Sequence, residues 1–229
     1  MWHEPPVMTL PEGSRIRDGQ TVSVDYYHTA MIYRKQVMCC LSEPKLYEIL
    51  QWQIEHVRRN LAPDGYFMMH DEMRVQGWDA SCVGTGLTPG ELLADSVGKC
   101  TAIIKQQDAG KPIYVWSDMF DPHHNAAATG RYYLVKGDGP WHGSWKGLDK
   151  DVIIVNWNSR PASRLNSLRH FAQLGHRQIL AGYYDVPVER IDGWLEDARK
   201  VEGVMGVIYT TWQQRYDDLE AFSRRLGKR

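Results

Sequence analysis

Two adjacent carboxylic acids, Asp71 and Glu72, follow a short apolar run in the stretch GYFMMHDEMR, residues 65–74. Adjacent side chains of a strand point to opposite faces, so both acids can reach one cleft only where the strand has ended. Two carboxylates in a partly dry cleft repel each other, and one of them then keeps its proton near neutral pH. Such an acid can protonate the leaving oxygen of a glycosidic bond. The alternative is a solvated acidic pair that opens a helix, where negative charge favours the helix dipole.

Aromatic and polar residues stand together where the other apolar runs end. These ends hold Asp25 to His28, Asp71 and Glu72, Trp116 and Asp118, Trp157 and Asn158, Tyr183 and Asp185, and Trp212 and Gln213. The chain has nine Trp and twelve Tyr against four Phe. The rings of Trp and Tyr carry a polar group and suit partly solvated surfaces, so their excess over Phe favours a cleft that binds a ligand.

Strands and helices must position these residues, and the sequence predicts short strands that alternate with longer helices. Six β-branched or aromatic runs predict strands at 21–28, 65–72, 111–118, 151–158, 177–185 and 204–213, and helical spacing predicts helices at 43–60, 88–109, 162–174, 187–201 and 216–226. The second helix opens on a capping box in which Thr88 faces Glu91. Strand and helix in turn predict an α/β protein with parallel strands, either an open doubly wound sheet or a barrel.

The strand ends favour the barrel. No strand leads into a glycine-rich phosphate turn of the dinucleotide-binding type. In a (β/α)8 TIM barrel all strand ends converge on one face, where the chemistry lies. The fold expected is therefore a TIM barrel that is incomplete, with about six β/α units, formed by residues 1–229 as one domain. The unpaired edges of such a barrel need a cover, either a homodimer partner or a missing N-terminal barrel segment.

A long connection at 119–150 has weak periodicity. Loops of this length are usually functional or disordered, so it is expected to form either a lid over the strand ends, with Trp141 and Trp145 as contacts, or a surface excursion.

Composition narrows the class of partner. Lys plus Arg (27) nearly balance Asp plus Glu (28), which gives no field that would attract nucleic acid or an anionic membrane. No apolar stretch approaches the roughly 20 residues that span a bilayer, and the first residues lack the layout of a secretory signal, so a soluble chain is expected. A carbohydrate is the expected ligand.

Neither metal nor cofactor is expected. Cys39, Cys40, Cys82 and Cys100 do not form a paired ligand pattern, and no disulfide is assigned to them. Imidazoles and carboxylates at the strand ends could still assemble a hydrolytic metal site, although their spacing shows no HxH or HExxH motif; the residues concerned are His28, His70, His123, His124, Asp71, Asp118 and Asp121. A metal-dependent TIM-barrel hydrolase therefore remains an alternative.

The segment CLSEPKLYEILQWQIEHVRRNLAPDGYFMMHDEMR, residues 40–74, resembles the part of glycoside hydrolase family 20, the β-N-acetylhexosaminidases, that leads into the catalytic Asp-Glu pair. Later runs are similar in order to that family's strand ends; these are YVWSDMF, VIIVNW, ILAGYYD and VIYTTWQQ, while DYYH in the first run resembles its third-strand Asp and His. The resemblance covers about residues 20–215 and implies strands three to eight of an eight-stranded barrel.

The resemblance implies substrate-assisted hydrolysis, in which the sugar's acetamido group attacks its own anomeric carbon. Glu72 would be the general acid and base, Asp71 would orient the acetamido nitrogen, and Tyr183 would donate its hydroxyl to the acetamido oxygen. The remaining expected substrate contacts are the walls Trp116, Trp157 and Trp212, the hydroxyl-binding Asp118 and Asp185, and Asp25, His28, Arg74 and Gln214.

Departures from the family pattern leave alternatives open. Met69 and His70 stand where the family usually has two glycines, and Gln214 stands where it has an acid. Arg74 could contact the substrate or fix the loop, and a pairing of Arg74 with Glu72 would argue against an acid role. A catalytically silent carbohydrate-binding barrel is the second hypothesis. The observation that separates the two is whether Glu72 faces a Trp-lined cleft with no cation bonded to it.

Overall fold

The computed structural model describes residues 7–24, 31–32, 36–128, 133–136 and 139–227. The chain divides into two compact units, Met1–Cys39 and Cys40–Arg229. In the first unit, β1 (Met31–Ile32) pairs antiparallel with β2 (Gln36–Val37). Residues 21–24 of the predicted first strand are not in a strand, and the rest of that strand, including Asp25 and His28, lies outside the described residues. The expectation of a single domain stays a prediction.

The second unit alternates strands and helices. Its strands are β3 (Tyr66–Met68), β4 (Val75–Gln76), β5 (Ile113–Trp116), β6 (Leu134–Val135), β7 (Ile153–Asn156), β8 (Gln178–Ala181) and β9 (Val204–Ile208). Its helices are α1 (Pro44–Leu61), α2 (Ala80–Gly84), α3 (Pro89–Gln107), α4 (Arg164–Gln173), α5 (Arg190–Ala198) and α6 (Leu219–Leu226). Five of these helices agree closely with the predicted ones. None of the described helices is long and apolar enough to cross a membrane.

Five strands form one parallel sheet in the order β3-β5-β7-β8-β9. The order follows the chain without reversal, unlike a doubly wound sheet, in which the order reverses at a switch point. Crossovers of one hand then place the connecting helices on one face of the sheet. The arrangement is a mixed α/β fold with a parallel sheet, consistent with a partial α/β barrel. Among the described residues this sheet has five strands where six were predicted, while β4 and β6 form a separate parallel pair, so the count of six β/α units stays a prediction.

Burial explains why these segments become strands and helices. All four residues of β7 are buried, as expected of a parallel strand covered on both faces. Helix α3 begins at the predicted capping box, in which the Thr88 hydroxyl accepts from the Glu91 N–H and the Glu91 carboxylate accepts from the Thr88 N–H.

Strands β3 and β9 are the edges of the sheet and leave Phe67 and Met205 exposed. A homodimer partner or further barrel strands that would cover these edges stay a prediction.

The described parts of the connection at 119–150 pack against one another and against α3. Trp141 is fully buried, and the Ser144 hydroxyl donates to the Met119 carbonyl at 2.7 Å. The 3-10 helix Ser144–Gly147 lies so close to α3 that a Cβ at Gly147 would meet the Ala94 carbonyl oxygen at 2.0 Å. Trp145 is half-buried beside the rings of His142 and His170. These described parts therefore form a fixed layer of the fold, and Trp141 is a core residue.

Candidate functional site

One pocket lies where the five parallel strands end. It has a volume of about 100 Å³ and is lined by Asp71, Glu72, Trp116, Trp157, Tyr184 and Trp212. Each strand of the sheet contributes to it, either at its last residue or within the loop that follows. Five of these six residues were predicted from the strand ends, and the structure brings them together as expected of a barrel face.

The acidic pair reaches the pocket because β3 ends before it. The strand stops at Met68, and both His70 (φ 51°) and Glu72 (φ 45°) adopt left-handed backbone conformations. The alternation of a strand no longer applies there, so the adjacent Asp71 and Glu72 both line the pocket. Non-glycine residues in this conformation cost of order 1–3 kcal/mol each and cluster at ligand and active sites. This region is strained in the way that functional sites commonly are.

Asp118 holds the backbone of Glu72. Its side chain is fully buried, and its Oδ2 accepts hydrogen bonds from the Glu72 N–H and the Asn125 amide, each at 2.9 Å. Burial raises the pKa of Asp118 to about 7; the hydrogen bonds from Glu72 and Asn125 oppose the rise, and the charge of Asp71 adds to it. The expectation that Asp118 binds a sugar hydroxyl is not met, because no part of the side chain reaches the surface. It is a positioning residue.

The raised pKa of Asp118 predicts a pH-dependent stability. Between pH 3.8, the ordinary pKa of an Asp side chain, and about pH 7, the folded state holds this proton while the unfolded chain has released it. The group therefore contributes stability at low pH, and its contribution falls by about 1.4 kcal/mol per pH unit across that window. In Asp118→Asn the side chain keeps an oxygen that can accept hydrogen bonds, but it has no proton to release between pH 5 and pH 7. We expect the difference in unfolding free energy between wild type and Asp118→Asn to change by about 2 kcal/mol from pH 5 to pH 7.

Urea unfolding at several pH values measures this difference. Burial lowers the pKa of His70 and of His124 to about 4, which destabilises the fold at acid pH in both proteins and so cancels in the comparison. A difference that stays constant with pH would contradict a protonated Asp118.

Arg74 binds Glu72 directly. Its Nη2 donates to Glu72 Oε2 at 2.7 Å, and its side chain is only 10% exposed while that of Glu72 is 43% exposed. Its guanidinium also lies 5.7 Å from the centre of the Tyr133 ring. A cation bonded to Glu72 was the observation expected to argue against an acid role for this residue. Glu72 thus faces the Trp-lined pocket with a cation bonded to it.

Asp71, by contrast, is a candidate proton carrier. Burial raises the pKa of Asp71, and its own backbone and the charge of Arg74 partly offset that rise. The two adjacent acids therefore have unequal surroundings, one half-buried and one bonded to a cation. Pairs of carboxylates in unequal surroundings can divide the acid and base roles of a reaction.

Four aromatic rings form the walls. Trp157 and Tyr184 are stacked with centroids 6.1 Å apart and an interplanar angle of 3°. Tyr184 meets Trp212 edge-on at 5.8 Å, and Trp212 lies 6.2 Å from Trp116. Rings of this kind offer apolar faces to the C–H groups of a ligand and keep a polar edge toward water. The walls suit a small ligand with both C–H faces and polar groups.

Asp185 positions the loop that carries Trp212. Its backbone is left-handed (φ 54°), and its Oδ2 accepts from the backbone N–H groups of Trp212 at 2.7 Å and Gln213 at 3.2 Å. Its other oxygen accepts from the Thr211 hydroxyl. These bonds occupy the carboxylate that was expected to bind a sugar hydroxyl. Gln214 is exposed, also has positive φ, and does not line the pocket.

Tyr183 does not reach the pocket. It is 1% exposed, its hydroxyl donates to Asp218 at 2.7 Å, and its ring stacks on Tyr209 at 4.1 Å. The next residue, Tyr184, lines the pocket instead. The family resemblance implied the first of these two adjacent tyrosines. The presence of a second tyrosine beside it was the only sign in the sequence that Tyr184 could take that role. Because β8 ends at Ala181, the loop that follows it determines the directions of the Tyr183 and Tyr184 side chains.

Of the histidines and aspartates considered as an alternative metal site, only Asp71 lines the pocket among the described residues. Within the described ranges, the group of three or more possible ligands that lies within ligating distance is Cys40, Asp79 and Cys82. His124 instead packs edge-on against Trp157, and the His170 ring nitrogen contacts the Phe120 carbonyl. His28 lies outside the described residues.

Comparisons with known proteins add little. No family model matches the chain, and no curated protein matches it. Among solved structures, the chain is similar to a crystal structure of dihydrodipicolinate synthase from Aquifex aeolicus, with 14% sequence identity and a TM-score of 0.39. The match covers 86% of this chain and 57% of that one, so this chain spans less than two thirds of the other's length. Similarity this low carries no argument about fold or activity.

Proposed function

We propose that this chain is a glycoside hydrolase, similar to family 20, that cleaves a terminal N-acetylhexosamine or a related glycoside. The observation that carries the proposal is the pocket itself, in which two carboxylates meet four aromatic rings where the parallel strands end. Ligand sites for drug-sized molecules occupy about 300–1,000 Å³. A pocket of about 100 Å³ supports recognition of one terminal ring or its substituent rather than of an extended chain.

The proposed reaction uses the substrate's own acetamido oxygen as nucleophile. It forms a bond to the anomeric carbon as the bond to the leaving oxygen breaks, and Glu72 transfers a proton to that oxygen. Asp71 holds the acetamido N–H, and Glu72 then accepts a proton from the water that opens the cyclic intermediate. Tyr184, rather than Tyr183, donates a hydrogen bond to the acetamido oxygen. In this proposal the chain corresponds to strands three to eight of an eight-stranded barrel, and the sequential order of the five strands of the parallel sheet supports strands four to eight.

A pair of matched substrates tests the proposal. We expect hydrolysis of a nitrophenyl N-acetyl-β-glucosaminide to exceed that of the nitrophenyl β-glucoside, which lacks the acetamido nucleophile, by at least about 10²-fold in kcat/KM, because an intramolecular nucleophile gains a large effective molarity. Release of nitrophenol is the measurement. Equal rates on both substrates would contradict substrate assistance and favour a protein nucleophile.

The second candidate function is carbohydrate binding without catalysis, and the ion pair between Arg74 and Glu72 favours it. In that case the aromatic walls retain affinity while the paired carboxylate donates no proton. Calorimetry with N-acetylglucosamine, alongside the hydrolysis assay, separates the two. Saturable binding with neither substrate cleaved would support the binding module.

A further inference from the structure

Two cysteines that are far apart in sequence meet one aspartate on the second unit. The sulfur of Cys40 lies 3.6 Å from that of Cys82. Asp79 reaches both sulfurs, with Oδ1 3.3 Å from Cys40 Sγ and Oδ2 3.2 Å from Cys82 Sγ. Cys82 is buried, Cys40 is half-buried and Asp79 is exposed. No ligand pattern in the sequence predicted this group, since 41 residues separate the two cysteines.

We propose that Cys40, Cys82 and Asp79 bind a zinc ion, with water in the fourth position. Thiolate and carboxylate are both zinc ligands, at about 2.3 Å and 2.0–2.2 Å respectively. The half-exposed arrangement leaves the open side of the group to solvent. The site is separate from the pocket, whose lining includes none of the three residues.

The separations between the two sulfurs and the carboxylate oxygens are close to those around a tetrahedral ion. Two sulfurs bound at the tetrahedral angle lie about 3.8 Å apart, and a sulfur and a carboxylate oxygen lie about 3.5 Å apart. The sulfurs lie 3.6 Å apart, Cys40 Sγ lies 3.3 Å from Asp79 Oδ1 and Cys82 Sγ lies 3.2 Å from Asp79 Oδ2. Each separation is within about 0.3 Å of the tetrahedral value, and a different carboxylate oxygen faces each sulfur. One ligand atom from each of the three residues lies within 4.8 Å of the other two, so a rotation of the Asp79 carboxylate would let one of its oxygens and both sulfurs bind the same ion.

The surroundings of Cys82 also suit a metal-bound thiolate. Its sulfur accepts from the Gln76 side-chain amide at 3.2 Å, and Gln76 is 3% exposed. The Ser42 hydroxyl lies at 3.6 Å and donates to the same sulfur. Groups of this kind around a metal site orient the ligand and stabilise its charge. The sulfur of a neutral buried thiol is a weak acceptor and gains little from two hydrogen-bond donors, whereas a thiolate is stabilised by them.

The same contacts permit two simpler states. Asp79 caps α2 by accepting from the Cys82 N–H at 2.9 Å, and the two thiols could merely donate to its carboxylate. The cysteines could instead form a disulfide, for which the sulfurs must approach to about 2.05 Å. The carboxylate, which contacts both sulfurs, favours a cation over a disulfide, because a disulfide has no proton or charge to offer it. A bound zinc ion would tie Cys40 to the turn between β4 and α2.

Metal binding by the whole chain is the test. The reduced protein is stripped with a chelator and titrated with Co²⁺, whose tetrahedral thiolate complexes absorb strongly, and then with Zn²⁺ in competition. We expect one equivalent of cobalt, a sulfur-to-metal charge-transfer band, and its loss on addition of one equivalent of zinc. A wild-type chain that binds no stoichiometric metal overturns the proposal. So does recovery of Cys40 and Cys82 as a disulfide after purification with zinc and without reductant.

Matched variants locate the site. Cys40→Ser and Cys82→Ser should each weaken zinc binding by more than about 100-fold, and Gln76→Leu by about 10–100-fold. Cys100→Ala is the control, because Cys100 is buried in α3 and belongs to no ligand group among the described residues. Unchanged affinity in the Cys82→Ser protein, or a loss in Cys100→Ala, overturns the assignment. The wild-type spectrum decides the question even if a variant fails to fold.

Discussion

Glu72→Gln is expected to lower kcat for an N-acetylglucosaminide by about 10²–10⁴-fold, since it removes the proton donor of the proposed reaction. Glutamine keeps the size of the side chain and can still accept from Arg74, which now bonds Glu72 Oε2 at 2.7 Å. The affinity for N-acetylglucosamine should therefore change little. Steady-state kinetics together with calorimetry measure both quantities.

The leaving group identifies the acid role. A nitrophenolate leaves with little protonation, whereas an alkyl alkoxide needs a full proton. The loss in Glu72→Gln should therefore be larger on an alkyl glycoside than on a nitrophenyl glycoside. Asp71→Asn is the matched control, because it removes the adjacent carboxylate and should lower kcat equally on both substrates. A loss that depends on the leaving group only in Asp71→Asn would move the acid role to Asp71, whose pKa burial raises.

Tyr184→Phe is expected to lower kcat by about 10²-fold, because it removes the donor proposed for the acetamido oxygen. Tyr184 lines the pocket between Trp157 and Trp212. Burial raises the pKa of Tyr184, and the charge of Glu72 raises it further, so the hydroxyl stays protonated and able to donate. The ring remains in the variant, so the stacking and the fold should be preserved.

Tyr183→Phe is the matched comparison. It deletes the hydroxyl that donates to Asp218 at 2.7 Å, which should cost about 1–3 kcal/mol of unfolding free energy and leave kcat unchanged. Kinetics and urea unfolding of the two variants give opposite patterns if the assignment is right. Normal kcat in Tyr184→Phe with a loss in Tyr183→Phe would instead restore the role that the family resemblance implied for Tyr183.

The periodicity of the sequence predicted the five strands of the parallel sheet and five of the six α-helices described in the second unit, but not the short elements β4, α2 and β6. Five parallel strands and five long helices lie where apolar runs and the Thr88 capping box placed them, because these are local signals. The same periodicity was wrong at 21–24, where alternation alone did not produce a strand. An alternating run needs a neighbouring strand and a core to pack on, and neither is encoded locally.

The residue types at the strand ends predicted where the candidate site lies, but they did not predict which of those residues face the pocket and which hold the backbone. Trp116, Trp157 and Trp212 line the pocket as expected. Asp118 and Asp185 have the same chemistry as a sugar-binding acid, yet their oxygens accept backbone N–H groups of Glu72 and Trp212. Burial and hydrogen-bond partners decide between these roles, and both depend on residues distant in sequence.

The sequence by itself determined which segments form strands and helices, and that acids and indoles follow the strands, because hydrophobic period and capping act over a few residues. Only the tertiary structure decided the direction of each side chain after its strand ended, where backbone turns such as those at His70, Glu72 and Asp185 replace the alternation. It also joined Cys40 to Asp79 and Cys82, which no spacing rule connects. Contacts between distant segments depend on how the whole chain packs, and local pattern does not encode them.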